Sequence, residues 1–266
     1  MTEATSGGKW ADLGQRLVSG GIAAGLGLWV MWLGGIPFHI LIALVSGIMV
    51  WELVRMIGAP SKAVILGVFA GLAALAAVEL PDGFALPLLM LPAVLGVSQI
   101  TEHRFTYTIY TAAIMVAGFG LVALRDDFGF DWMAWLALVV IATDILGYFA
   151  GRFIGGPKFW PKVSPKKTWS GTVAGWIGAA AVGGVYVWYG EAGPELIGIS
   201  IAVSMAGQIG DVAESALKRR MGVKDSSSII PGHGGMFDRF DAMLGASLFL
   251  LVIGAAVDFP PVAVPM

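Results

Sequence analysis

The stretch Trp132-Met-Ala-Trp-Leu-Ala-Leu-Val-Val-Ile-Ala-Thr-Asp-Ile-Leu-Gly-Tyr-Phe-Ala-Gly-Arg152 decides the fold class of this chain. Its only charged side chains are Asp144 and Arg152. A run of roughly 17 to 25 predominantly apolar residues is long enough to cross a bilayer as a helix. The stretch therefore predicts a transmembrane helix over 132–152.

Asp144 is the exceptional residue of this predicted helix. A carboxylate at the centre of a span costs about 2.5 to 3.5 kcal/mol on insertion scales, so such groups face a polar interior and indicate function. Asp144 is therefore a candidate site residue. In the alternative interpretation, it lies near the cytoplasmic end of the span and pairs with Arg152, two helical turns further on.

Apolar runs of similar length recur along the chain, separated by turn residues and charges. Together they predict an all-α polytopic integral membrane protein with about nine transmembrane helices. The predicted spans are 14–34, 37–57, 62–80, 84–100, 105–124, 132–152, 170–190, 195–218 and 240–258.

The composition supports a membrane protein and excludes several other classes. Of the 266 residues, 57% are hydrophobic and only 13% are charged, about half the charged fraction of an ordinary soluble domain. The mean hydropathy is +0.82. The net charge of −2 argues against a nucleic-acid partner, because such binders carry a large basic excess. Cysteine is absent, which excludes disulfides, thiolate catalysis and cysteine-ligated metals.

The distribution of basic residues predicts the orientation, since lysine and arginine collect on the cytoplasmic side. With nine spans and a cytoplasmic N-terminus, 15 of the 16 basic residues fall on one side and only Arg125 on the other. The C-terminus is then on the far side. This topology leaves two long cytoplasmic loops, 153–169 and 219–239, which hold most of the basic residues.

The first long loop contains the segment Ser164-Pro-Lys-Lys-Thr168. Proline fixes the backbone, the ammonium groups of Lys166 and Lys167 follow, and the flanking hydroxyls supply short donors. Such a set suits phosphate oxygens. In the alternative interpretation, juxtamembrane lysines only fix topology and touch anionic lipid.

The densest group of ionisable residues runs from Asp211 to Asp241. One helix face would carry, at i, i+3 or i+4 and i+7 spacing, Asp211, Glu214 or Ser215, and Lys218. Asp238 and Asp241 repeat the i, i+3 spacing at the start of the next span, so two acidic faces can meet. Carboxylate oxygens of this kind suit Mg²⁺, which binds through one or two carboxylates plus substrate phosphates. A structural salt-bridge network is the alternative.

The same segment resembles the signature of the phosphatidate cytidylyltransferase (CDP-diacylglycerol synthase) family. The matching residues are Ser215, Leu217-Lys218-Arg219, Lys224-Asp225, Ser227, Ile230-Pro231, His233-Gly234-Gly235-Met236 and Asp238-Arg239-Phe240-Asp241. Further matching stretches are Gly210-Asp211, Asp144, Tyr148-Phe149, Gly151-Arg152 and Ser164-Pro165-Lys166-Lys167-Thr168-Trp169. The resemblance covers about residues 140–245. At Ser170 the sequence departs from the family, which commonly has glutamate before Gly171.

The resemblance implies an enzyme that converts CTP and phosphatidate to CDP-diacylglycerol and pyrophosphate. It also implies a polytopic fold that works as a homodimer in the cell inner membrane, with the active site facing the cytoplasm. Nucleotidyl transfer of this kind needs two polyanions to be positioned and their charge neutralised by metal and cations. The expected cofactor is Mg²⁺, and a second cation is left open.

The site residues expected from the resemblance fall into three groups. Asp211 and Asp238 are the expected metal ligands, with Lys218 and Arg219 as catalytic cations. The supporting carboxylates are Asp144, Glu214 and Asp241. The substrate-binding residues are Ser164, Lys166, Lys167, Thr168, Ser215, Lys224, His233, Gly234 and Arg239. His233 could contact phosphate or order the glycine turn.

The chain is expected to form a single membrane domain over 1–266. Helices of about 1–130 would provide the scaffold and dimer contacts, and about 131–258 the catalytic helices. A secondary transporter is an alternative, but transporters show paired broken helices in two halves, whereas the ionisable groups lie almost entirely in the second half here. A CTP-dependent polyprenol kinase or an alcohol phosphotransferase acting on CDP-lipid is the other alternative. The motif D-G-x-x-A-R of the latter is absent.

Overall fold

The computed structural model describes residues 20–21, 24–230, 234–254 and 259–261, and over these ranges the chain is mostly helical. The helices are α1 (Ala24–Leu33), α2 (Gly35–Met56), α3 (Pro60–Glu79), α4 (Ala85–Val97), α5 (Arg104–Phe128), α6 (Phe130–Phe153), α7 (Trp169–Trp188), α8 (Glu195–Arg220) and α9 (Phe237–Gly254). A short 3₁₀ turn, Asp82–Phe84, precedes α4.

Six of the described helices are long and apolar enough to cross a bilayer: α2, α3, α5, α6, α7 and α8. This confirms a helical chain with several potential membrane spans. Helices α1 and α4 are shorter, and α9 begins with three charged residues, Asp238, Arg239 and Asp241. The count of nine spans and the orientation stay predictions, and both chain ends lie outside the described residues.

The first long loop, 153–169, is more ordered than the sequence alone indicated. Strands β1 (Lys158–Trp160) and β2 (Ser164–Thr168) pair antiparallel, with Lys158 opposite Thr168 and Trp160 opposite Ser164. The hairpin leads directly into α7, where Thr168 is the N-cap residue and its Oγ1 accepts a hydrogen bond from the Gly171 amide at 3.2 Å. The two lysines of β2 are therefore held at the N-terminal end of α7.

Glycines bring several helix pairs into backbone contact. A Cβ on Gly47 of α2 would lie 2.8 Å from the Gly67 carbonyl oxygen of α3, and one on Gly210 of α8 would lie 3.1 Å from Cα of Gly245 in α9. Small residues permit such close approach within membranes. The α8–α9 contact matters most, because these two helices carry the densest group of ionisable residues.

Arg125, the single basic residue predicted on the far side, has a structural role. Its guanidinium donates hydrogen bonds from α5 to the carbonyl oxygens of Met31, at 2.7 Å, and Trp32, at 2.9 Å. The last carbonyls of a helix have no partner within that helix. Arg125 thus donates to carbonyl oxygens that α1 itself leaves unpaired at its C-terminal end. This role accounts for an arginine on the predicted far side, apart from the other basic residues.

Candidate active site

A cavity of about 390 Å³ lies between α6, β2, α7 and α8. It joins the lysine segment of the first loop to the acidic face of α8. Its lining residues are Thr143, Asp144, Gly147, Tyr148, Gly151, Arg152, Lys166, Lys167, Thr168, Gly171, Thr172, Gln208 and Asp211. Five of the residues predicted for the site line this one cavity: Asp144, Lys166, Lys167, Thr168 and Asp211.

An ion pair links the two predicted motifs inside the cavity. The Nζ atom of Lys167 lies 2.6 Å from Oδ2 of Asp211, and both side chains are about a quarter exposed, at 25% and 28%. The lysines of this segment have no acidic neighbour in sequence, so this pairing comes from the tertiary fold. Ser215 lies one turn along α8, and its hydroxyl donates to Oδ1 of Asp211 at 3.4 Å.

Two further carboxylates, from two other helices, lie near this pair. Asp144 of α6 and Asp241 of α9 each interact electrostatically with Asp211 of α8. Arg239 also contributes to the electrostatic environment of Asp144. The meeting of two acidic helix faces, expected from the spacing, therefore occurs between α8 and α9, with Asp144 as a third member.

Arg152 belongs to the cavity and does not pair with Asp144. Its Nη1 donates to the Tyr148 hydroxyl at 2.6 Å, and its guanidinium lies 5.9 Å from the centre of the Tyr148 ring. Over the described residues, no ion pair joins Arg152 to a carboxylate. The alternative interpretation of Asp144, as a partner of Arg152, finds no support in this geometry.

A second polar group lies beside the cavity, around Lys218. Its Nζ is 2.5 Å from Oε2 of Glu214 and 2.6 Å from Oδ1 of Asp238. All three side chains are largely buried, at 13%, 1% and 7% exposure. Lys218 thus bridges the carboxylates of Glu214 and Asp238 at the α8–α9 contact with a single positive charge.

The second oxygen of Asp238 is also fully engaged. Oδ2 accepts hydrogen bonds from the Ser226 amide and hydroxyl, each at 2.9 Å, and from the Gly235 amide at 2.8 Å. Asp238 precedes the predicted membrane span 240–258. Burial alone would raise the pKa of its carboxyl, but the hydrogen bonds from Lys218, Gly235 and Ser226 outweigh burial and lower the pKa to about 2.

Glu52 of α2 is the residue of this region that the motif analysis missed. It is 0% exposed, and its carboxylate accepts hydrogen bonds from four groups of the second loop and α9. The donors are the Ser226 hydroxyl (3.1 Å), the Ser227 hydroxyl (2.6 Å), the Met236 amide (2.9 Å) and the Phe237 amide (2.7 Å). The sequence did hold a signal, because Glu52 is a carboxylate within a predicted span, as Asp144 is.

The other residues predicted for the site lie on β2, at the end of α8 and in the second long loop. Ser164 begins β2, Arg219 and Lys224 are exposed near the end of α8, and Gly234 bridges to Ile230 with a positive φ of 85°. His233 lies outside the described residues. Ser170 occupies the first turn of α7, where its hydroxyl contacts the Gly155 carbonyl and lies 3.0 Å from Thr168 Oγ1.

The donor set fits a hard divalent cation only in part. Asp211 and Asp144 supply carboxylate oxygens to one cavity, as Mg²⁺ requires. Among the residues that the structure describes, however, no group of three or more histidine, aspartate or glutamate side chains is arranged to hold a metal ion. A site here would need oxygens from the substrate, which is how Mg²⁺ usually binds nucleotides.

Comparison with known proteins decides the family. The sequence profile described as "Cytidylyltransferase family" matches residues 14–256. The chain belongs to the cytidylyltransferase family. This confirms the resemblance seen in the motifs and extends it from about residues 140–245 to nearly the whole chain, so this member of the cytidylyltransferase family is a nucleotidyltransferase.

Similar curated proteins carry a more specific name. A "Phosphatidate cytidylyltransferase" of Brucella abortus biovar 1 (strain 9-941) is 33% identical over 270 residues, covering 95% of this chain and 97% of the relative. One of Bacillus subtilis (strain 168) is 34% identical over 261 residues, covering 90% and 96%. One of Staphylococcus saprophyticus is 38% identical over 158 residues, covering 56% and 61%.

Proposed function

We propose that this chain is a phosphatidate cytidylyltransferase, which converts CTP and phosphatidate to CDP-diacylglycerol and pyrophosphate. The observation that carries the proposal is the Lys167–Asp211 contact, which brings the lysine hairpin and the acidic helix into one cavity. The relatives that bear this name over almost their full length support the same substrates.

The reaction needs positioning more than proton transfer. An oxygen of the phosphatidate phosphate attacks the α-phosphorus of CTP, a new P–O bond forms, and the bond to the bridging oxygen of the β-phosphate breaks, releasing pyrophosphate. The second pKa of a phosphomonoester is about 6, so the nucleophile is largely dianionic at neutral pH. The protein has mainly to bring two polyanions together and neutralise their charge.

The cations of the cavity suit this task. Lys166 and Lys167 approach from β2 with ammonium groups that bind phosphate oxygens. Arg152 lies on α6, held by Tyr148, and the exposed apolar side chains of Phe149 and Phe153 flank it in the last turn of the same helix. We assign the triphosphate to the lysines and the lipid phosphate to Arg152, because its helix presents an apolar surface to the acyl chains.

A magnesium ion would be held by Asp211 together with substrate phosphates. When bound, it would supply positive charge that stabilises the developing negative charge on the transferred phosphoryl group. Asp144 and Asp241 are close enough to Asp211 to assist. Asp238 is the other predicted ligand, and its four present donors, from Lys218, Ser226 and Gly235, would have to be rearranged around the metal.

The proposed setting is the cell inner membrane, with nine spans and a cytoplasmic N-terminus. The cavity then opens on the cytoplasmic side, where CTP is available, because both long basic loops lie there. The helices within about residues 1–130, α1 to α5, are the proposed source of homodimer contacts.

The deciding experiment is incubation of the purified protein with labelled CTP, phosphatidate and Mg²⁺. We expect label in CDP-diacylglycerol and release of pyrophosphate, with no product from Asp211→Asn. A CTP-dependent lipid kinase would instead transfer the γ-phosphate, so the lipid product would be labelled only when the label is in the γ-phosphate of CTP. Asp127→Asn, at an exposed position at the end of α5, is the matched control.

A further inference from the structure

We propose that Glu52 of α2 is a positioning residue for the transfer reaction. It fixes the serine turn (Ser226 and Ser227) and the start of α9, and so sets the second basic loop against Asp238. The inference rests on the proposed function in one respect, since it takes this loop to bind substrate. It assigns a role in the site to a helix from the N-terminal part of the chain.

The start of α9 has no cap of its own. The first amides of a helix lack partners within it and are usually satisfied by a serine, threonine, aspartate or asparagine side chain just before the helix. Here the preceding residues are Gly234, Gly235 and Met236, whose side chains offer no oxygen. Glu52 supplies the missing acceptor from α2, which is distant in sequence, and its carboxylate accepts hydrogen bonds from the amides of Met236 and Phe237.

The carboxylates of Asp238 and Glu52 accept hydrogen bonds from three consecutive backbone amides. The Gly235 amide binds Asp238, and the next two amides bind Glu52. The Ser226 hydroxyl lies within hydrogen-bonding distance of both carboxylates. Asp238 and Glu52 are therefore held in one network, and a shift of Glu52 would move the groups that orient Asp238.

The packing around Glu52 leaves little room for an alternative arrangement. A Cβ added at Gly235 would collide with the Ser226 hydroxyl and with Oε1 of Glu52. Glu52 is fully buried, so water cannot replace its contacts. A buried amide without an acceptor carries its full desolvation penalty. If Glu52 no longer accepts these hydrogen bonds, we therefore expect the loop to move until the amides find other partners.

Glutamine at position 52 is the sharpest test. It keeps the size of the side chain but replaces one accepting oxygen by an NH₂ donor facing amides and hydroxyls. We expect kcat of Glu52→Gln to fall about tenfold or more. The KM for phosphatidate should change little, since Glu52 does not line the cavity that holds the proposed lipid phosphate. Glu102→Gln, at an exposed loop position, should leave kcat unchanged.

Hydrogen exchange separates positioning from loss of global stability. In Glu52→Gln, we expect faster exchange in peptides that cover 224–240 and unchanged exchange in peptides from α5 and α6. The double variant Ser226→Ala/Ser227→Ala lacks two of the donors to Glu52. In this background, Glu52→Gln should lower kcat by a smaller factor than it does in the wild-type background.

Three results would overturn the inference. The first is wild-type kcat in Glu52→Gln, the second is equally faster exchange throughout the chain, and the third is full additivity with the serine substitutions. A wild-type protein that makes no CDP-diacylglycerol would refute the proposed function and with it the catalytic part of this inference. The exchange data would still decide whether Glu52 holds the loop.

Discussion

Lys167 of β2 and Asp211 of α8 form an ion pair, with 2.6 Å between Nζ and Oδ2. The pair lines a cavity that also contains Asp144 and Arg152. Both side chains are partly exposed. In the proposed reaction, the Lys167 ammonium would therefore move from the Asp211 carboxylate to a phosphate of CTP without breaking a buried contact. Asp211 would then bind Mg²⁺ in place of the lysine.

Loss of Lys167 should lower activity more than loss of a lysine elsewhere on the same predicted membrane side. We expect Lys167→Ala to lower kcat/KM for CTP by about tenfold to a hundredfold, because a charge-assisted hydrogen bond contributes about 1.5 to 3 kcal/mol. Arg219→Ala should act in the same direction. Steady-state kinetics with CTP as the varied substrate measures both effects.

Lys62→Ala is the control for that series, since Lys62 is exposed at the start of α3. Arg55 is a less neutral control, because its guanidinium lies 4.7 Å from the centre of the Trp51 ring. Equal losses in Lys167→Ala and Lys62→Ala would leave the lysine segment with a role in topology alone.

Asp211→Asn and Asp238→Asn should both nearly abolish turnover, for different reasons. The first weakens the proposed metal ligand in the cavity. The second removes the negative charge next to Lys218 and replaces one of the two oxygens that accept hydrogen bonds from Lys218, Ser226 and Gly235. Binding of Mn²⁺, followed by electron paramagnetic resonance in the presence of CTP, should be lost in Asp211→Asn.

Asp127→Asn is the appropriate control for the aspartates. Asp126 is unsuitable, because its carboxylate lies 2.7 Å from Nε2 of His39. Near wild-type turnover with Mg²⁺ in Asp211→Asn would contradict the metal assignment. Retained Mn²⁺ binding in Asp238→Asn, with turnover lost, would favour Asp144 or Asp241 over Asp238 as the second ligand.

The close approach of α8 and α9 predicts a stability difference between two glycines of α8. We expect Gly210→Ala to lower the free energy of unfolding by about 1 to 3 kcal/mol through overpacking, since its Cβ would meet the Asp241 carbonyl and the backbone of Gly245. Gly198→Ala has open space around it and should gain up to about 1 kcal/mol from helix propensity. Thermal unfolding in detergent compares the two variants, and an equal shift in both would contradict the packing argument.

The orientation can be tested cleanly because the chain contains no cysteine. Single cysteines at Lys62 and Asp127, near opposite ends of the spans, should react with an impermeant maleimide from opposite sides of a sealed vesicle. Position 62 should be labelled from the cytoplasmic side. Labelling of both positions from one side would remove the nine-span topology.

Much of the fold follows from local sequence. Apolar runs such as 132–152 predict helices, because a backbone in lipid must satisfy its own hydrogen bonds, and a helix lies at each predicted position within the described residues. The sequence also reveals the lysine segment and the spacing of Asp211, Asp238 and Asp241. Charged side chains are costly in so apolar a chain, so their presence indicates a function.

The tertiary structure alone decided which charges meet. Lys167 faces Asp211 because β2 lies next to α8, and the Glu52 carboxylate reaches the start of α9 because α2 packs beside it. No local pattern links Glu52 to a turn 174 residues away at Ser226. Hydrophobic periodicity fixes which segments are buried, whereas a hydrogen bond depends on distances of a few tenths of an ångström, which only the packing of the helices sets.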